Sequence, residues 1–280
     1  MPSSMNDNRR ELKKRQILAI MRENKKHLSP SIFLSIMPYP HVTFSKSAKK
    51  DFKTLRAFIK DAKYDNGRNL DWAVFNKYPQ LKTHFDKNKH YKIKDEKILL
   101  HFINKGYRAK RTAMDRAMAQ HKKRWEKIAL YYFSLVDTLF GGRRWPRGKY
   151  IAFGTIWGMY PRFLEDKTFQ IPFWHRTPRY VSVVIAHELL HFMFYDYFYA
   201  RYPKYRYPKH NFFVWHISEI FNTIVQNSPV WFNRFKLKSL GYLEHKKIVT
   251  RISRSIYRRS TWNIDALVDE IINEVQKNKK

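Results

Sequence analysis

Residues 181–195 read Val-Ser-Val-Val-Ile-Ala-His-Glu-Leu-Leu-His-Phe-Met-Phe-Tyr, an apolar stretch interrupted by His187, Glu188 and His191. A helix made of this stretch is apolar on nearly every face, which predicts that it is buried. Burial makes two imidazoles and a carboxylate costly unless each finds a partner. Spaced at i and i+4, His187 and His191 project from one face a single turn apart, where both can reach one metal ion. Glu188 sits about 100° around the helix, beside that ion rather than on it. The plainer alternative is a core helix whose histidines are satisfied by ordinary hydrogen bonds.

The chain has no cysteine. Disulfides and thiolate ligands are therefore excluded, and a metal must be held by His and carboxylate. A catalytic Zn²⁺ usually takes three protein ligands and leaves one position open, so a third ligand is expected elsewhere. A second apolar helix is predicted from about Asn211 to Gln226. It carries Ile217, Ile220, Phe221, Ile224 and Val225 on its apolar faces and His216, Glu219, Asn222 and Thr223 on one polar stripe. A buried carboxylate there calls for a cation, which makes Glu219 the first candidate ligand, with His216 and His210 as alternatives. His216 and Asn222 lie one turn to either side of Glu219. They are candidates to orient it or, like Tyr180, to hydrogen-bond a reacting oxygen.

His187-Glu188-Leu189-Leu190-His191, followed by a helix bearing Ser218-Glu219-Ile220-Phe221-Asn222, resembles the zincin metallopeptidases. Within them it resembles the gluzincin group, whose third ligand is a glutamate on a later helix. The resemblance spans about residues 149–226. It implies a zincin-like core and a zinc-dependent peptidase in which His187, His191 and Glu219 hold Zn²⁺ and Glu188 is the general base acting on a peptide or protein substrate. Thermolysin-type enzymes place an aspartate four residues after the ligand glutamate to support a histidine ligand; this chain has Thr223 there. A second resemblance is to SprT-like metallopeptidases, which act on DNA-bound protein and use a third histidine. His210-Asn211-Phe212-Phe213-Val214-Trp215 is similar to their His-Gly motif with a nearby Trp, with Asn in place of Gly. It implies His210 as the alternative third ligand.

The net charge of +33 is distributed unevenly. Residues 1–149 carry 36 basic and 13 acidic side chains and residues 201–260 carry 13 and 2, whereas residues 150–200, which hold the motif, carry 4 and 4. A basic surface around a neutral segment attracts nucleic acid nonspecifically. This keeps open a nonenzymatic, basic helical nucleic-acid-binding protein as a further reading. No apolar run is long enough to span a bilayer. The amino-terminal segment has no signal-peptide core, and a cytoplasmic protein is expected.

The expected fold class is α+β and mostly helical, with a short antiparallel sheet packed on the metal-binding helix. Three regions are expected: a basic helical region over 1–145, the zincin-like core over 146–242, and C-terminal helices over 243–280. A basic helix is read at 7–26, an extended piece at Ser31–Met37, and a helix from Ser47 to about Tyr64 closed by Asp65-Asn66-Gly67. Residues 68–94 read as loops with short helices, and a long helical region runs from Ile98 to Leu139 before Gly141-Gly142. Tyr150–Tyr160 reads as one bulged strand or two short ones. Thr168–Phe173 reads as another, placed at a sheet edge because Pro172 cannot donate to a ladder, and so as a possible rim for an extended peptide. The last helix is expected to start at an Asn263 cap.

Overall fold

The computed structural model describes residues 39–60, 70–87, 91–259 and 262–277. The elements expected at 7–26 and 31–37, and the turn at 65–67, lie outside them. In chain order the elements are β1 (Val42–Lys46), α1 (Ala48–Lys60), β2 (Phe85–Lys87), β3 (Tyr91–Ile93), α2 (Glu96–Ala109), α3 (Arg111–Leu139), β4 (Tyr150–Thr155), β5 (Arg162–Phe163), β6 (Thr168–Pro172), α4 (Pro178–Arg201), α5 (Asn211–Gln226), α6 (Pro229–Phe235), α7 (Lys246–Ile256) and α8 (Ile264–Lys277).

Local chemistry sets several of the helix ends. The Asp95 carboxylate accepts from the backbone N–H of Lys97 (2.7 Å) and Ile98 (3.2 Å), capping α2. Gly141 and Gly142 adopt positive φ (61° and 74°) and turn the chain out of α3. Pro178 opens α4, Pro203 follows it, and Pro229 starts α6 after α5 has stopped. Asn263 caps α8 by accepting from the Ala266 N–H at 3.0 Å.

The main sheet has the strand order β1-β4-β6-β5. β1 and β6 both run parallel to β4, and only the β5–β6 pair is antiparallel. The sheet is therefore mixed, in contrast to the antiparallel one expected. A turn through Glu165-Asp166-Lys167 joins the two-residue β5 to β6. The chain leaves β4, passes through β5 and returns, so that β6 comes back alongside β4 in the same direction. Nor is β6 the sheet edge expected of it. β6 lies between β4 and β5 and is buried throughout. Pro172 is tolerated because it ends the strand, and the ladder continues through the next N–H, from Phe173 to the Thr155 carbonyl at 3.3 Å. The edge beside the motif helix is β5.

β4 stops at Thr155 because the following backbone is claimed by other partners. Ile156 N–H donates to Asp51 Oδ2 (3.1 Å), Trp157 N–H donates to Thr155 Oγ1 (3.1 Å), and Gly158 N–H donates to the Ala73 carbonyl (2.8 Å). The stretch expected to be loops and short helices over 68–94 also contains the hairpin β2–β3.

One face of the sheet receives α4 and α3. Tyr150 and Phe169 meet Phe192 of α4 with ring centres 5.3 and 6.2 Å apart. A Cβ on Gly154 would lie 2.3 Å from the Phe173 ring and 2.7 Å from Met118 Sδ of α3, so only glycine permits this approach. The other face receives α1, where Lys50 Nζ donates to Thr168 Oγ1 (3.0 Å) and Gln170 Nε2 donates to Asp51 Oδ1 (2.7 Å). From Pro40 on, the described residues belong to one compact unit. The chain is mostly helical with a small sheet, an α+β fold. Among the described residues no helix is long and apolar enough to cross a membrane.

Candidate metal centre

α4 and α5 pack against each other and bring three side chains to one point. His187 Nε2 lies 3.1 Å from Glu219 Oε2, His191 Nε2 lies 3.3 Å from Glu219 Oε1, and the two Nε2 atoms are 3.0 Å apart. His191 is 0% and Glu219 3% exposed, so water does not satisfy them. The three residues form a group that could hold a metal ion.

The outer hydrogen bonds decide how these atoms face. Gln226 Nε2 donates to the Val183 carbonyl at 3.2 Å, which fixes the amide so that its Oε1 points at His187 Nδ1, 2.9 Å away. An amide oxygen only accepts, so His187 carries its proton on Nδ1 and, as a neutral ring, turns a lone pair from Nε2 toward Glu219. Lone pair then faces carboxylate, an arrangement that needs a cation or an extra proton between them. Without a metal the extra proton is drawn in. Burial works against charge on His187, but the Glu219 carboxylate outweighs it and raises the pKa. Burial also opposes the Glu219 charge, yet His191, His187 and Arg162 hold it well below the usual carboxylate range. Burial, followed by the Arg162 charge, lowers His191 well below its ordinary value. An ionised Glu219 and a neutral His191 are the ligand-competent forms.

Glu188 is 5% exposed, and its Oε2 has no hydrogen-bond partner among the described residues. Burial raises its pKa to about 7, with His187 and Arg162 opposing that rise. Tyr180, eight residues earlier on the same helix, stacks on His175 with ring centres 4.1 Å apart. Its pKa is raised by burial and then by the Glu188 charge. Asn222 Nδ2 donates to the His187 carbonyl at 3.0 Å, while its Oδ1 is buried without a hydrogen-bond partner among the described residues.

Two remaining candidates stand elsewhere. His216 Nδ1 lies 2.7 Å from His245 Nε2, and the ring of His210 packs against Tyr205 with centres 5.3 Å apart. Neither belongs to the His187–His191–Glu219 donor group.

Three contributors were not read from the sequence. Gln226 continues the polar stripe of Glu219, Asn222 and Thr223 by one more position, so the signal was present. It supports a histidine, while Thr223 Oγ1 merely donates back to the Glu219 carbonyl at 2.8 Å. Arg162 comes from β5 and donates through its terminal nitrogens to Glu219 Oε1 (3.1 Å) and to the Tyr195 hydroxyl (3.0 Å). Burial works against its charge, but Tyr195, Glu219 and Glu188 outweigh that and raise its pKa. Nothing in the local pattern around Arg162 or Tyr195 marks them, because they meet α5 only through the tertiary fold.

No family model matches the sequence, and no curated protein or solved structure matches it significantly.

Proposed function

We propose that the chain is a metal-dependent hydrolase, and specifically a zinc peptidase in which His187, His191 and Glu219 hold Zn²⁺. The observation that carries this reading is the convergence of two imidazole nitrogens and a carboxylate within 3.0–3.3 Å, with His187 turned by Gln226 so that its lone pair enters the group. Two imidazoles and a carboxylate suit zinc among the common divalent ions. When bound, zinc supplies Lewis acidity that makes water a better nucleophile near neutral pH and polarises a carbonyl.

The chain's own groups supply the rest. Glu188 Oε2, buried and without a hydrogen-bond partner among the described residues, accepts a proton from the attacking water and passes it to the departing amine nitrogen as the peptide C–N bond breaks. Gln226 keeps the His187 proton on Nδ1. Arg162 holds Glu219 Oε1 and partly neutralises a site that carries two carboxylates. Tyr180 supplies a hydroxyl on the Glu188 side of α4, suited to hydrogen-bond an oxygen that gains charge. β5, the sheet edge that carries Arg162, offers unpaired backbone groups to which an extended peptide can add.

Glu188→Gln tests the reading. It should lower peptide hydrolysis by on the order of 10²–10⁴-fold while the protein retains its zinc, measured by fluorogenic peptide turnover beside metal analysis. Full turnover in that variant would remove Glu188 from the chemistry. Less than one zinc per chain in the wild type after loading would favour a nonenzymatic basic protein.

The net charge of +33 supports a second reading, in which the same centre works on protein bound to nucleic acid. It predicts salt-sensitive DNA binding and faster hydrolysis when DNA is added. As a ligand, His210 would have to leave its packing on Tyr205.

A further inference from the structure

His216 lies on α5, one turn before Glu219, and its ring does not point into the first donor group. It meets His245, which closes a short 3₁₀ turn, Leu243–His245, just ahead of α7. His216 Nδ1 and His245 Nε2 are 2.7 Å apart. A carboxylate oxygen of Glu244 joins them, and the three donor atoms lie within 4.8 Å of one another.

Three features set this group apart from a chance pair of histidines. First, His245 is 3% exposed, and its Nδ1 has no hydrogen-bond partner among the described residues. The ring is thus buried with only its Nε2 engaged, and that nitrogen is aimed at another imidazole. Second, Glu244 sits in the most one-sidedly basic part of the chain, where residues 201–260 carry 13 basic and 2 acidic side chains. Even so, among the described residues no lysine or arginine pairs with it. Third, aromatic rings border the group. Trp215 and Tyr242 lie 5.7 and 5.6 Å from the His245 ring, and Phe212 packs edge-on against His216 at 4.3 Å. Phe212 and Tyr242 are themselves 43% and 46% exposed, so these rings leave the group open to solvent beside the exposed Glu244.

We propose that His216, Glu244 and His245 form a second metal site, separate from the His187–His191–Glu219 centre, that takes a divalent transition-metal ion and clasps the Leu243–His245 turn to α5. Two imidazoles and one carboxylate select zinc, copper or nickel over magnesium or calcium, which prefer all-oxygen shells. The two sites share α5. Three residues of helix rise separate Glu219 from His216, about 4.5 Å along the axis. This inference does not depend on the first centre being catalytic.

The test is zinc stoichiometry of the full chain, by calorimetric titration of the metal-stripped protein and by metal analysis after gel filtration. Two equivalents are expected for the wild type, one for Glu244→Ala and one for His187→Ala. Glu244 is exposed, so its replacement leaves the fold intact. Amide exchange over residues 242–246 gives a second reading: added zinc should slow it in the wild type and in His187→Ala, and leave it unchanged in Glu244→Ala. A single wild-type equivalent that disappears in His187→Ala and persists in Glu244→Ala would overturn the second site and leave the first standing. A single equivalent with the opposite dependence would uphold the second site and remove the first.

Discussion

Asp51 on α1 and Glu219 on α5 are both buried carboxylates, yet the protein treats them differently. Asp51 is fully enclosed and satisfied by the protein itself. Its Oδ2 accepts from Tyr107 (2.8 Å) and from the Ile156 N–H (3.1 Å), and its Oδ1 accepts from Gln170 (2.7 Å). Burial still dominates and raises its pKa to about 6. Glu219 is met by two imidazole nitrogens and a guanidinium, groups that hold its charge and keep its pKa well below normal. The neighbours of Asp51 are neutral donors that complete it. Around Glu219, by contrast, the lone pair of His187 remains to be satisfied, as do Glu188 Oε2 and His191 Nδ1, which have no hydrogen-bond partner among the described residues. Burial of a carboxylate is thus common to structure and chemistry, and convergent groups left over after the protein's own hydrogen bonds mark the second.

The largest effect expected from this contrast is on metal affinity. Glu219→Ala should weaken zinc binding at the first centre by more than the roughly 10- to 100-fold typical of losing a supporting group. Asp51→Asn should leave it unchanged. Equal losses in both, read by competition with a chromogenic chelator, would collapse the distinction.

Next comes a pH signature of Asp51. Its folded pKa is raised from 3.8 to about 6, so between these values the folded state binds the proton that the unfolded state releases. The native state is therefore favoured at low pH, and that advantage is lost as pH rises through about 6. Over this window wild type should lose roughly 3 kcal/mol relative to Asp51→Asn, from ~2 pKa units at 1.36 kcal/mol each. Denaturant titrations of both proteins at pH 4 and pH 7 measure it. A difference that is constant with pH would show that Tyr107, Ile156 and Gln170 hold the charge in full.

The smallest effect belongs to Gln226, which touches the first centre only through His187. Gln226→Ala should cost roughly 10- to 100-fold in zinc affinity, and Gln226→Glu, which retains an acceptor for Nδ1–H, should recover part of it. Loss in the first without recovery in the second would point to packing rather than to the His187 tautomer.

Much of the candidate centre was legible because it rests on helical periodicity. The i and i+4 spacing of His187 and His191, the neighbouring Glu188, and a carboxylate on the polar stripe of a second apolar helix all follow from the 3.6-residue turn. The bounds of that second helix, Asn211–Gln226, agree with the pattern, as do the cap at Asn263 and the stop at Gly141-Gly142. The sheet was less legible. Strand segments show in alternation, but their direction does not: residues 150–172 are compatible with a plain hairpin until β5 is seen to take the antiparallel position. Pro172 signals an edge only if it lies within the strand, and here it ends one.

By itself the sequence determined which side chains are buried on the two helices and which of them share a turn, because intrahelical geometry is fixed by local backbone bonds. Only the tertiary structure decided which nitrogen of His187 faces Glu219, that Arg162 reaches in from the sheet edge, and that His216 turns toward His245. Those contacts join residues separated by between 29 and 57 positions. No local period encodes them; they exist only once β5, α4, α5 and the Leu243–His245 turn have packed together.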